Sequence, residues 1–379
     1  MSHVLDQNRE WIDRTWNKVD EKLKCVAVRS RNKIPYTTIN GTHDNKCEDN
    51  VLWWTNGFWG GMMWLMYRAT GNEEYKTTAI ESESLLDDAL KKYKELHHDV
   101  GFMWHLTSGA NYRITGNMQS YNKNLFVAST LFSRYNIKGE YIRAWNDDFA
   151  KTWSIIDCMM NIPLLYWASE EIGDERFKYV AMKHADMTMS DHIRDDGSVI
   201  HIVEHDENTG AMIKAHRGQG YSEDSCWSRG LAWAVYGMVL SYIHTNKKRY
   251  LDVAVLAADY FVKNCKKFDY KTPLDFNMPD GDQYYDSTAG VCMACGLLEL
   301  SKYVEKDKSM EYTQTAINVL KATDEYFCDY DINNDSLVLM GTERYPHESM
   351  KGVHIPIIYG DFFFVEALLK LKNIDFLIW

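Results

Sequence analysis

Along most of the chain apolar residues recur three and four positions apart, the spacing of one face of an α-helix. These stretches are punctuated by a recurring phrase in which an apolar helix ends in a small residue, a polar step follows, and an aromatic residue opens the next helix. It reads Leu65-Met66-Tyr67-Arg68-Ala69-Thr70-Gly71-Asn72-Glu73-Glu74-Tyr75, then Tyr112-Arg113-Ile114-Thr115-Gly116-Asn117 ahead of Tyr121, then Tyr166-Trp167-Ala168-Ser169-Glu170-Glu171-Ile172-Gly173-Asp174-Glu175-Arg176-Phe177. Weaker copies run from Tyr242 to Tyr250, with Asn246 at the turn, and from Leu300 to Tyr312, with Lys306 and Asp307. Gly or Asn accepts the left-handed backbone that ends a helix, and Asn, Asp or Glu suits the next N-terminus. Each copy therefore predicts a helical hairpin. The pattern predicts twelve helices, near residues 5–24, 58–70, 73–92, 103–115, 118–134, 153–172, 174–192, 226–244, 247–266, 287–304, 308–327 and 359–372.

The even helices are the shorter ones, rich in Ala, Gly, Met and aromatics, as in Gly230-Leu231-Ala232-Trp233-Ala234-Val235-Tyr236-Gly237-Met238; the odd ones are longer and more charged. That division predicts an inner ring of even helices inside an outer ring of odd ones. Repeated hairpins build either an open solenoid or a closed ring. An apolar end at Trp379 and a buried-looking first helix favour an all-α closed ring, because a solenoid needs polar caps. The long connections precede even helices, so they gather at one rim, at the inner helix N-termini.

A chain of 379 residues with 45% hydrophobic and 25% charged residues buries a large core, and residues 1–379 are expected to form a single catalytic domain. A formal charge of −12 without a basic stripe excludes nucleic acid as a partner. Residues 1–11 have no apolar core of signal length, and no segment reaches the ~18 apolar residues of a membrane helix, so a cytoplasmic location away from membranes is expected. The eight cysteines are scattered. Cys292 and Cys295 form a C-x-x-C inside a helical run, but no second Cys or His pair stands at zinc-ligand spacing. No metal or cofactor is expected.

The chemistry-bearing residues collect where the inner helices begin. They include Trp54 and Asn56 before helix 2, His97, His98 and Asp99 before helix 4, and Trp145 and Asp157 at helix 6. His201, His216, Arg217, Gln219, Trp227 and Arg229 precede or open helix 8, with Trp233 inside it; Asp286 and Ser287 precede helix 10, and Ser349 and Lys351 precede helix 12. A Trp on an inner helix is often simply core, and Asp286 and Ser287 read as N-caps. Asp157 is different. It stands among Ile155, Ile156, Cys158, Met159 and Met160, where a carboxyl is costly unless used, and where desolvation favours its protonated form. Asp99 is the natural second, ionised carboxylate. With aromatic platforms, with Arg229 and Lys351 for an acid group, and with helix N-termini at the mouth, the set suits a sugar carrying negative charge.

The segments Trp54-Thr55-Asn56-Gly57-Phe58-Trp59, His97-His98-Asp99-Val100-Gly101-Phe102, Ile155-Ile156-Asp157-Cys158, Trp227-Ser228-Arg229-Gly230 and Tyr359-Gly360-Asp361 resemble those of glycoside hydrolase family 88, the unsaturated glucuronyl hydrolases. Family 105, the unsaturated rhamnogalacturonyl hydrolases, is the neighbouring group. The resemblance implies a six-hairpin (α/α)6 barrel and a hydration reaction on a small unsaturated oligosaccharide. Asp157 would protonate C4 of the C4=C5 bond and then take the proton of the water that adds at C5. Asp99 would contact the unsaturated sugar. Trp54, Trp145, Trp227 and Trp233 would stack on or enclose it, Arg229 would be a polar contact, and His201 and Gln219 would lie near the uronate. Gly218 stands where relatives commonly have His or Arg, with Arg217 and His216 just before it. Of the Ser-x-x-Ser-x-Lys pattern of members that prefer 6-sulfated substrates, Ser349 and Lys351 remain and Pro346 replaces the first Ser. Rival readings are a glycosidase or epimerase of the same barrel acting on saturated sugars, and a helical-repeat binding protein without chemistry.

Overall fold

The computed structural model describes residues 2–374 and 376–379. Twelve helices of the described residues form six hairpins. They are α1 (Ser2–Arg29), α2 (Phe58–Thr70), α3 (Glu73–Leu85), α4 (a π-helical turn Gly101–Gly109 continuing as Ala110–Thr115), α5 (Met118–Phe132) and α6 (Pro163–Ile172), then α7 (Glu175–Asp191), α8 (Ser228–Thr245), α9 (Lys248–Cys265), α10 (Ser287–Leu300), α11 (Lys306–Tyr326) and α12 (Ile358–Leu371). The even helices touch in order, and α12 packs on α2 to close the ring. The chain is an (α/α)6 barrel. Nearly every residue of α8, α10 and α12 is buried, whereas α9 and α11 bury one face, as inner and outer rings require.

The hairpin turns follow their local chemistry. Gly71, Gly116 and Gly173 end their helices at φ +70°, +76° and +69°, and Asn246 takes the same region at +52°. The next residue then caps in three cases: the side chains of Asn72, Asn117 and Asp174 accept backbone N–H groups of the following first turn. Trp379 lies beyond α12 and turns into the barrel, stacked on Phe363 at 5.9 Å, with its indole N–H 3.2 Å from the Glu366 carboxylate. No helix among the described residues is long and apolar enough to cross a membrane.

Three departures from the sequence reading bear on function. The helix expected from residue 153 starts at Pro163, which takes the first helical turn because it has no N–H to lose there. Ahead of it, Trp153–Ile155 is a strand paired antiparallel with Ile202–His205, which pairs in turn with Met212–His216. Asp157 therefore lies in the tight helical turn Ile156–Met160 rather than in a regular α-helix. Two further hairpins, Thr38–Ile39 with Thr42–His43 and Tyr135–Asn136 with Tyr141–Ile142, qualify the all-α expectation in the connections only. The turn after Leu300 ends α10 without a left-handed residue, since Ser301 has φ −59°.

Candidate active site

A cavity of about 650 Å³ opens at the rim where the connections lead into α2, α4, α6, α8 and α12. Among its lining residues are Trp53, Trp54, Glu95, His97, His98, Asp99, Trp145, Asp147, Trp153, Asp157, His201, Gln219 and Arg344.

The sheet positions the first carboxylate. Ile155 pairs with Ile202, and Ile156 N–H donates to the His201 carbonyl at 3.0 Å, so the next side chain, Asp157, emerges beside the His201 imidazole. Asp157 Oδ1 lies 3.3 Å from His201 Nε2. The approach is poorly aligned, and both atoms are buried without a hydrogen-bond partner among the described residues. The other oxygen, Oδ2, has no partner among the described residues and is open to the cavity that Asp157 lines. His201 Nδ1 accepts the Gln219 backbone N–H at 2.9 Å, which leaves the ring hydrogen on Nε2, facing Asp157. His201 also lies against Trp227, with ring centroids 4.2 Å apart.

The second carboxylate belongs to a different arrangement. Asp99 stands at the entrance to α4, one oxygen 3.2 Å from His98 Nε2 and the other 3.2 Å from His97 Nδ1. His98 Nδ1 donates to the Ala144 carbonyl at 2.7 Å. Burial opposes charge on His98, yet the facing Asp99 carboxylate and its hydrogen bond raise the imidazole above its ordinary pKa. Burial likewise opposes charge on Asp99, but His98 and His97 hold it well below the usual carboxylate range. Both shifts run toward the charged forms, as an imidazolium–carboxylate ion pair requires. His97, His98 and Asp99 are also the one group among the described residues whose donor atoms lie close enough, within 4.8 Å, to hold a metal ion. Each Asp99 oxygen already faces an imidazole, so ion pairing accounts for the cluster.

Two residues that sequence reasoning passed over hold these segments. Asn161, fully buried, accepts the Phe102 N–H through Oδ1 at 2.8 Å and donates through Nδ2 to the Asp157 carbonyl at 3.2 Å. It thereby ties the Asp99 helix to the Asp157 turn. The contact needs Gly101: a Cβ there would come within 2.8 Å of the Asn161 backbone. Arg134 donates to the carbonyls of Leu96, Arg143, Ala144 and Trp145, binding the His98 segment to the Trp145 segment.

Several expected ligand contacts lie elsewhere. Arg229 is fully buried, paired with Asp286 at 2.6 Å and donating to the carbonyls of Thr342 and Glu343, so its charge is spent inside the protein. Asp286, expected as an N-cap, occupies that position but uses its side chain for Arg229. Trp233 is core, packed between Phe102 and Phe363. Trp227 is buried behind His201 rather than on the cavity wall. Asn56 is fully buried and donates to the carbonyls of Asn50 and Val51, steadying the wall rather than lining it. His216 pairs with Glu204 at 2.8 Å and packs on Trp153. Arg217, Ser349 and Lys351 are exposed and outside the cavity lining. Trp54, Trp145, His98, His201 and Gln219 do line it, and so does Arg344, which the sequence reading did not single out.

Known proteins share this architecture. Residues 26–267 match the family model for Glycosyl Hydrolase Family 88. The chain is 35% identical to an unsaturated chondroitin disaccharide hydrolase of Streptococcus pneumoniae, over 98% of this chain and 94% of that protein. The crystal structure of an unsaturated glucuronyl hydrolase from Bacillus sp. GL1, responsible for the degradation of glycosaminoglycan, superposes with a TM-score of 0.86 at 27% identity, covering 94% of this chain and 97% of that one. A mutant unsaturated glucuronyl hydrolase from Streptococcus agalactiae complexed with dGlcA-GalNAc6S gives 0.80 at 27% identity, covering 97% and 94%. The barrel, the rim cavity and these matches together make the chain a member of glycosyl hydrolase family 88.

Proposed function

We propose that this enzyme removes a terminal 4,5-unsaturated glucuronic acid from small oligosaccharides of the kind polysaccharide lyases release, by hydrating the double bond. The reading rests on Asp157, a buried carboxylate with one oxygen beside His201 and the other open to an aromatic-walled cavity. In its protonated form Asp157 delivers a hydrogen to C4, and positive charge develops at C5 and the ring oxygen. Water adds at C5, and Asp157, now a carboxylate, takes the proton that the water loses. The C5 hemiketal opens by breaking its bond to the ring oxygen. The hemiacetal left at C1 then collapses, releasing the remaining sugar and a 4-deoxy-5-keto uronate.

His201 presents its Nε2 hydrogen to Asp157, with Nε2 3.3 Å from Oδ1, and Asp99 with His98 offers hydrogen-bonding partners for the hydroxyls of the bound ring. Trp54 and Trp145 provide apolar faces for sugar rings. Similarity to enzymes named for unsaturated chondroitin disaccharides and unsaturated glucuronides supports this substrate class. The eight cysteines, all free, support a reducing cytoplasmic setting.

The test is to mix the enzyme with lyase-generated disaccharides and follow the ultraviolet absorbance of the unsaturated uronate together with release of the second sugar. Both change in step if the bond is hydrated, and the saturated analogue is left intact. Cleavage of the saturated analogue at a comparable rate would indicate displacement and reject the proposal.

A further inference from the structure

Carboxyl groups and histidines share the cavity wall, and Asp99 faces His97 and His98. Glu95, Asp99, Asp147 and Asp157 line the cavity, and Arg344 is the one Lys or Arg among its described lining residues. The backbone on both sides of Arg344 is pinned. The Glu343 carbonyl accepts from Gln219 Nε2 at 2.7 Å and from Arg229 at 2.9 Å, and the Tyr345 N–H donates to the Gln219 carbonyl at 2.9 Å. The Arg344 side chain itself forms no ion pair and no hydrogen bond with the described residues. Arg229, the cation that sequence alone would choose for an acid group, thus serves as the anchor of the segment that presents a different cation.

Depth decides which part of the substrate this cation meets. His98, Asp99 and Asp157 are 1%, 6% and 8% exposed and lie at the inner end, whereas Arg344 is exposed and stands at the mouth. The reacting terminal ring must reach Asp157, so the sugar that follows it lies toward the mouth. At the mouth Arg344 is the one Lys or Arg side chain among the described lining residues, so an anion carried by that sugar meets a guanidinium there.

We propose that Arg344 binds an acidic substituent, a sulfate ester or a carboxylate, on the sugar next to the terminal unsaturated residue. The proposal rests on the hydration reading above and assigns this contact to Arg344 in place of Ser349 and Lys351. A guanidinium suits either anion, because its paired N–H groups match two oxygens at once.

Three probes separate the outcomes: an unsaturated uronyl disaccharide with neutral N-acetylgalactosamine as second sugar, its 6-O-sulfated form, and one whose second sugar is a uronate. Wild type, Arg344→Ala and Arg344→Lys are compared on each. In Arg344→Ala, kcat/KM should fall roughly tenfold or more on the acidic probe that wild type prefers, the size of one charge-assisted contact, and by less than about threefold on the neutral one. Arg344→Lys should fall between. The acidic probe that responds identifies the group bound. Equal losses on all three probes, no loss on any, or a wild type indifferent to acid on the second sugar would overturn the assignment while leaving the hydration reading intact. Failure of wild type on all three would remove both.

Discussion

Asn161 accepts the Phe102 N–H at 2.8 Å while its amide nitrogen reaches the Asp157 carbonyl, so one buried side chain spaces the helix entrance that carries Asp99 from the turn that carries Asp157. Asn161→Ala leaves a buried N–H and a buried carbonyl each short of a partner, at a cost of about 1–3 kcal/mol each. The variant should unfold at lower urea concentration and lose turnover, whereas Asn161→Asp, which keeps the acceptor for Phe102, should lose less stability. Equal stability of wild type and Asn161→Ala in urea titrations would refute the tie.

The ion pair of His98 and Asp99 gives stability a defined pH window. His98 is raised in the folded state, so its contribution is complete below the unfolded histidine value of ~6.5 and is lost as pH rises through the folded value. Asp99 is depressed, so its contribution is complete above the unfolded value of ~3.9 and is lost as pH falls through the folded value. The unfolding free energy of wild type minus that of Asp99→Asn should therefore be largest between about pH 4 and 6.5 and should decline on the alkaline side. A difference that is flat to pH 9 would mean that the pair is not charged.

Arg229 and Lys351 are expected to part company. Arg229→Met leaves Asp286 charged and buried without its partner, a loss of about 3–5 kcal/mol of the kind seen when one half of a buried pair is removed. Thermal unfolding should report it. Lys351→Ala and Ser349→Ala alter exposed side chains outside the cavity lining and should leave kcat/KM within about twofold, since surface changes of this kind stay within ~0.5 kcal/mol. A tenfold fall in either would place that side chain on the substrate.

How far the sequence could be read follows from the range of the forces involved. Gly71 with Asn72, Gly116 with Asn117 and Gly173 with Asp174 are legible because a left-handed residue and its adjoining cap act within a few positions, and repetition of that unit implies the barrel. The strand Trp153–Ile155 is illegible as such because its partner lies about fifty residues away, at Ile202–His205, and a short apolar run suits a buried helix equally well. Pro163 was the available signal, since it marks a helix start rather than an interior. The gathering of His98, Asp99, Asp157, His201 and Gln219 at one cavity followed from their places before inner helices. Arg229 misled because charge is written in the sequence and its partner is not: Asp286 stands 57 positions on. Arg344 drew no notice for the same reason, lying in a polar loop whose anchors are Gln219 and Arg229.

The proposed hydration turns on a single proton carrier. Asp157→Asn keeps the size and polarity of the side chain but removes its acid and base, so circular dichroism and the urea midpoint should stay close to wild type. The decisive measurement is the rate of absorbance loss from an unsaturated glucuronyl disaccharide with this variant. A fall of roughly 100- to 10,000-fold, the range general acid and base catalysis supplies, is the expected result. A variant that is folded and hydrates the double bond at nearly the wild-type rate would contradict the mechanism.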